Sequence, residues 1–240
     1  MIEASRILVA AYAAAPPGPF DPRGESAVYN GLSALGVGGL ELPFFGALHR
    51  HDEGFLLGRL RPEWDLVLTT LPGTMDRLKE DPAFGLAATR AEGRTRALGF
   101  LESALRAVER IEAALGRPAV AAVEVHSAPR PAHSAESFAR SLSELRRWDW
   151  RGAALLVEHC DRARPAGDHD KGFLTLGEEV DAVLGSSGPT PAACSLNWGR
   201  SALEGRSAKT PLEHVARLQA AGLYGGLVFS GVTPSHPDYG

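Results

Sequence analysis

The sequence predicts an α/β domain of parallel strands, a TIM-type (β/α) barrel about one strand–helix unit short of the usual eight. Short apolar runs alternate with amphipathic stretches from end to end. The apolar runs leave no polar stripe for a wet face, as expected of parallel strands covered on both sides. The 240 residues also match the ~250 that such a barrel occupies as one domain.

The elements follow in order. Ile7 to Ala13 is the first strand candidate. Arg6 before this apolar run and Ala13-Ala14-Ala15 at its end resemble a signal peptide, but Glu3 denies it a positive head. The strand is therefore expected, and with it a cytoplasmic location. A helix is predicted near Gly24 to Leu35, then strands over Gly39 to Phe45 and Leu66 to Leu71. The helix from Thr95 to Leu115 is the clearest, with Leu98, Leu101, Leu105, Val108, Ile111 and Leu115 forming one stripe. Gly116 and Pro118 end it. Next come strand Val120 to His126, helix Ala135 to Trp148, strand Ala154 to Cys160 and helix Leu176 to Leu184. Strand Ala192 to Asn197, helix Pro211 to Ala221 and strand Gly226 to Ser230 complete the set. Thr210 is read as an N-cap, with Pro211 at the first helical position and Glu213 completing a capping box. Alternation of this kind implies right-handed crossovers. Seven strands leave a gap, or a surface for a partner, where an eighth belongs, so a homo-oligomer fits. The longest irregular connections, Pro16 to Pro22 and Asp161 to Gly172, follow strand C-termini, where a barrel keeps its active-site loops.

Composition narrows the partners. Hydrophobic residues make up 44% and charged residues 22%, enough apolar material for a sizeable core. With 25 basic and 29 acidic residues the net charge is −4, which argues against nucleic acid. The basic groups Arg90, Arg94 and Arg96, and Arg146 and Arg147, read as solvated helix faces. No apolar run is long enough for a membrane span. Cys160 and Cys194 fall on neighbouring strands about five residues apart in level, on the order of 16 Å. That exceeds the ~7 Å limit for a disulfide, so both read as reduced core thiols of an intracellular protein.

Several signatures are missing. There is no P-loop, G-x-S-x-G, H-E-x-x-H or C-x-x-C, and Gly36, Gly38 and Gly39 precede a strand, the wrong order for a dinucleotide site. What remains is a set of polar residues ending apolar strands, where a carboxylate is costly unless paired. The set comprises Glu41; Glu124 and His126; Glu158, His159 and Asp161; and Asn197 with Arg200. Side chains alternate along a strand, so Glu124 and His126 share a face, while Glu158 and Cys160 oppose His159 and Asp161. Glu158 is expected inward. Trp198 beside Asn197 is a candidate ligand face; Trp148 and Trp150 read as packing. His49, His51, His133, His169, His214 and His236 read as surface or loop histidines. Asp168-His169-Asp170 reads as a solvated loop despite its metal-like composition.

The block from Arg96 to Ser127, with its long helix, Leu-Gly stop and strand Ala-Val-Ala-Ala-Val-Glu-Val-His, resembles the xylose isomerase-like TIM barrels. So does Leu-Leu-Val-Glu-His-Cys-Asp from Leu155 to Asp161. Over essentially its whole length the chain is similar to an uncharacterised bacterial family within that superfamily. The recurring features are Tyr12-Ala13-Ala14-Ala15-Pro16, Leu40-Glu41-Leu42-Pro43, Glu158-His159-Cys160-Asp161 and Asn197-Trp198-Gly199-Arg200-Ser201. The resemblance implies a sugar isomerase or epimerase scaffold holding a divalent ion with four ligands. Glu158 matches the first. Asn197 stands for the second, usually Asp; Leu227-Val228-Phe229-Ser230 lacks the usual His; no final Glu is found. A hard cation wants several anionic oxygens, so a conventional divalent site is not expected, and no cofactor is assigned.

The leading expectation is a sugar or sugar-derivative isomerase or epimerase-like protein. Glu124 or Glu158 would be the general base at a carbon next to a carbonyl. Glu41, His126, His159, Asp161, Asn197, Trp198 and Arg200 would line the site for a polyol or sugar. The alternative is a non-catalytic carbohydrate- or metabolite-binding barrel that has lost its metal site. A glycoside hydrolase ranks last, because it needs a second carboxylate where the seventh strand offers Ser230.

Overall fold

Seven strands form one parallel sheet in the order β1-β2-β3-β4-β5-β6-β7. They are β1 (Leu8–Ala10), β2 (Gly39–Pro43), β3 (Asp65–Thr69), β4 (Val120–Val125), β5 (Ala154–His159), β6 (Ala192–Asn197) and β7 (Tyr224–Val228). The computed structural model describes residues 7–14, 19–130, 132–163 and 171–232. Helices cross between the strands: α1 (Pro22–Ala34), α2 (Glu53–Leu57), α3 (Leu71–Glu80), α4 (Ala91–Leu115), α5 (Ala135–Leu145), α6 (Leu176–Gly185), α7 (Trp198–Gly205) and α8 (Thr210–Ala220). This is a barrel wall about one unit short of closure. Among the described residues β1 and β7 do not pair with each other, and Ile7 and Phe229 beside them are exposed.

The strand alternation sorts the residues into two layers. Leu40, Leu42, Leu66, Leu68, Val123, Val125, Leu155, Val157 and Leu196 face the helices and join the large core with Trp64, Phe138 and Trp150. Val67, Ala122 and Leu156, with Leu8 and Ala193, form a small apolar plug on the inner face. Above that plug the same faces of β3 to β6 turn polar.

Local chemistry sets the element ends. Asp21 caps α1 through Arg23 N, and Pro22 occupies the first turn, where its missing N–H does no harm. Gly116 ends α4 with φ +68°, a conformation that costs other residues a Cβ clash. A capping box forms at Thr175 and Glu178 on α6. The box expected at Thr210 is absent: α8 begins at Thr210 itself, and Lys209 before it makes no side-chain cap. Three helices lack a counterpart in the sequence reading: α2, α3 and α7. The first strand is shorter than expected, since Ala11–Ala14 turn into a 3-10 helix.

Two further expectations are corrected. Arg146 is no solvated residue; its guanidinium donates to Thr190 O, Ser186 O and Gly188 O, tying α5 to the α6–β6 turn. The cysteines are free and buried, but the register pairs Val157 with Cys194, which sets Cys160 three residues beyond Cys194's level rather than five. They also face opposite sides of the sheet, so a bridge is excluded by direction as well as by distance.

Candidate functional site

The inner face above the apolar plug carries Glu41, Thr69, Glu124, His126, Glu158, Cys160, Ser195 and Asn197 from β2 to β6 and their ends, with Ser230 two residues past β7. Glu124, His126, Glu158 and Asn197 are 2%, 2%, 3% and 6% exposed, so every polar atom among them needs a partner.

Glu158 is the hub. His126 Nε2 lies 2.6 Å from its Oε2, and Asn197 Nδ2 donates to Oε1 at 2.8 Å. Burial pushes Glu158 upward, but the His126 contact, the Asn197 hydrogen bond and the Arg200 charge outweigh it and hold the carboxyl below its ordinary value. Asn197 is itself fixed. Its Oδ1 accepts from Arg200 N at 3.2 Å and from the Ser230 hydroxyl, while it caps α7. Strand alternation turns Asn197 inward, and capping α7 fixes its side chain there.

Glu124 behaves in the opposite way. Register places it opposite Leu156, one layer deeper than Glu158. Ser195 Oγ donates to Oε1 at 2.9 Å, but Oε2 is buried with no hydrogen-bond partner among the described residues. Burial first, then the charges of Glu158 and Glu41, drive its pKa well above the carboxylate range. Thr70 Oγ1 donates to Glu124 O at 2.7 Å and stands 3.4 Å from His126 Nδ1, locking that ring. Glu41 occupies the opposite side of the mouth, where Tyr12 OH donates to Oε1 at 3.4 Å. Burial and the Glu158 charge push Glu41 up to about 7.

A raised carboxyl of this kind stabilises the fold while it is protonated. The Glu41 contribution is complete below about pH 4.5 and is lost as pH rises through about 7. We expect this one group to lower stability by about 2–3 kcal/mol between those limits. Urea unfolding of Glu41→Gln at pH 5 and pH 8 should show a flatter pH dependence than the wild type; parallel curves would refute the assignment.

The other expected site residues separate. His159 and Asp161 do not join this group. His159 faces the helix layer, fully buried, with Nδ1 2.6 Å from Glu179 Oε2. The Asp161 carboxylate accepts the backbone amides of Lys171 and Gly172, holding the far end of its connection. Trp198 is half-buried and its ring lies 5.7 Å from that of exposed Phe229, beside the mouth. The Arg200 side chain is half-buried, and its charge acts on Glu158. Asp168, His169, Asp170 and His236 lie outside the described residues. His49 lies in the loop after β2, as expected, with Nε2 3.1 Å from Glu25.

The residues present do not fit the four-ligand divalent site that the resemblance implies. Both Glu158 oxygens are engaged by His126 and Asn197. Asn197 turns its amide donor, not its oxygen, toward Glu158, and its oxygen is already shared by Arg200 N and Ser230. This is a hydrogen-bonded carboxylate, with few oxygens left for a hard cation.

Sequence reasoning missed Glu179, Glu204 and His214. They come from three separate helices, and only the fold brings them to His159. The one local signal was Thr175-x-x-Glu178, which starts α6 and so sets the face that Glu179 presents.

The uncharacterized protein STM3670 of Salmonella typhimurium (strain LT2) is 35% identical over 202 residues, 82% of this chain and 63% of that protein. The chain thus spans less than two thirds of that relative. The AP endonuclease, family 2, of Brucella melitensis superposes with a TM-score of 0.61 at 15% identity, over 96% of this chain and 83% of that one. The D-allulose 3-epimerase of Methylomonas sp. gives 0.54 at 15% identity, over 96% and 76%. The fold is the TIM-type barrel of these solved structures. Within it, the model of the family described as Domain of unknown function (DUF4862) matches residues 8–240, nearly the entire chain, and the protein belongs to that family.

Proposed function

We propose that the protein is a sugar or sugar-derivative isomerase or epimerase-like enzyme that moves a proton at a carbon next to a carbonyl. One observation carries this reading: three inner-face carboxyls whose surroundings drive their pKa values apart, Glu158 down and Glu124 and Glu41 up. Carboxyls separated in this way would supply an ionised base and a protonated acid, which supports the reading.

In this mechanism Glu158 accepts the proton from the carbon, with His126 and Asn197 holding the carboxylate in place. Glu124 gives its proton to the carbonyl oxygen through Oε2, which accepts no hydrogen bond among the described residues. The product of that half-reaction is an enediol. Returning the Glu158 proton to the neighbouring carbon, and the hydroxyl proton to Glu124, completes the isomerisation with every proton restored. Glu41 and Tyr12 hold a hydroxyl at the opposite side of the mouth. The D-allulose 3-epimerase neighbour, which has also been solved with D-allulose, supports a sugar as the ligand class.

A second reading, a binding barrel without catalysis, rests on how closed the network is, with the four central residues at most 6% exposed. The two separate in heavy water. The protein is incubated with aldoses and ketoses, free and phosphorylated, and C–H signals are followed by proton NMR. Deuterium should enter stereospecifically next to the carbonyl of at least one sugar. Binding by calorimetry without exchange would replace this reading with the second, and neither binding nor exchange would defeat both.

A further inference from the structure

On the reverse side of β5 from Glu158, three side chains from three elements converge. His159 comes from β5, Glu204 from α7 and His214 from α8. Their nearest ligand atoms lie within 4.8 Å of one another. We propose that these residues form a binding site for one divalent transition ion of the zinc type, which clamps α7 and α8 onto the barrel wall. It shares no ligand with the inner-face carboxyls.

The geometry supports this at three levels. First, His159 Nε2 is buried and, among the described residues, has no hydrogen-bond partner. It faces Glu204 Oε2 at 3.2 Å, but without the alignment of a hydrogen bond. His214 Nε2 is 4.0 Å from the other Glu204 oxygen. Tetrahedral zinc with bonds of 2.0–2.1 Å sets its donors about 3.3 Å apart. The three donors therefore need to shift by less than about an ångström.

Second, both rings are oriented from behind. His159 Nδ1 is held by Glu179 Oε2 at 2.6 Å, and Ser127 Oγ donates to the other Glu179 oxygen at 2.5 Å. His214 Nδ1 is held by Ser201 Oγ at 3.2 Å. Each ring thus spends Nδ1 on a buried partner and turns Nε2 to the common point, the carboxylate–histidine arrangement that supports metal ligands. Two imidazoles with one carboxylate suit zinc and its neighbours better than magnesium or calcium.

Third, α7 and α8 are built to meet here. A Cβ on Gly205, next to Glu204, would lie 1.8 Å from Thr210 Oγ1 at the start of α8. Any side chain at Gly205 would push Glu204 and His214 apart.

The other charged groups facing the cluster are Glu179, Arg162 and Arg217. Arg162 N–H donates to Glu204 Oε2 at 2.9 Å, while its guanidinium, on a side chain 48% exposed, stands 3.5 Å from Oε1 and can swing away, so Oε1 is the oxygen that takes the ion. Without an ion the same residues make a buried ion cluster, with His159 pushed up to about 10 because Glu179 and Glu204 outweigh its desolvation.

The full chain, dialysed against a chelator, is titrated with zinc chloride by calorimetry and with cobalt chloride in the visible range. We expect one ion per chain, intense tetrahedral cobalt bands, and no thiolate-to-cobalt charge transfer, because no cysteine belongs to the cluster. At 100 times Kd the unfolding midpoint should rise by about 5–10 °C. His214→Gln and Glu204→Gln, each near the surface, should weaken binding about 100-fold or more, and Glu158→Gln should leave it intact. The proposal falls if the wild type binds no stoichiometric ion, or if binding survives both His214→Gln and Glu204→Gln. It also falls if binding disappears in Glu158→Gln and carries a thiolate band, which would place the ion at the inner-face cluster of His126, Glu158 and Cys160.

Discussion

Glu124→Gln is expected to abolish proton exchange, by about 100-fold or more, while holding or raising the unfolding midpoint. Glu124 is buried and driven toward its neutral form by desolvation and by the charges of Glu158 and Glu41. Glutamine has nearly the shape of that neutral acid. Its amide oxygen still accepts from Ser195, and what disappears is the transferable proton together with any repulsion from Glu158. A carboxyl that strains its site and helps its reaction should show this split. Glu158→Gln should lose exchange as well but lose stability too, by about 1.5–3 kcal/mol, because the charge-assisted contact with His126 goes. The informative result is the opposite stability sign of two neighbouring Glu→Gln changes, read by urea unfolding alongside NMR exchange. If Glu124→Gln also destabilises by several kcal/mol and the wild type exchanges no sugar, the inner carboxyls are structural and the proposed reaction is wrong.

Much of this was legible in the sequence because strand periodicity is a short-range signal. Ala192 to Asn197 is read to the residue, and the other strands to within a few, since apolar runs bounded by Gly, Pro and Asn leave few alternatives. The inward set Glu41, Glu124, His126, Glu158 and Asn197 follows from alternation once one residue is placed. Register is different, because it depends on partners outside the strand. Adjacent strands put Glu124 and Glu158 side by side on paper; the sheet sets Glu124 level with Leu156 and leaves His126 to meet Glu158. Helix α3 was hidden because Leu71-Pro72-Gly73 reads as a turn, although proline is welcome in a first turn. Helix α7, eight residues long, is too short for its apolar positions to repeat. His159 was read with the mouth residues on chain proximity alone, and its partners Glu179, Glu204 and His214 lie 20 residues or more away along the chain.

Glu179→Ala should be among the most damaging single changes in the molecule. Glu179 is fully buried, and its two oxygens hold His159 on β5 and Ser127 after β4. Ser127 Oγ in turn accepts Leu174 N at 3.2 Å, just before α6 begins. One carboxylate therefore joins two strands, a loop and a helix. Removing it leaves the buried His159 imidazole without its Nδ1 partner and the Ser127 hydroxyl without its acceptor. Deleting one partner of a buried pair costs about 3–5 kcal/mol, far more than the pair contributes against an apolar replacement. For a domain of this size that is a fall in unfolding midpoint of about 6–20 °C. Glu179→Gln keeps the volume and one acceptor and should cost less than half as much. The double variant His159→Leu/Glu179→Leu removes both charges and should recover most of the loss. Differential scanning calorimetry of the three variants distinguishes the cases. An effect of Glu179→Ala below about 1 kcal/mol would mean that water enters the cluster freely and that the helix layer is not fastened to the barrel at this point.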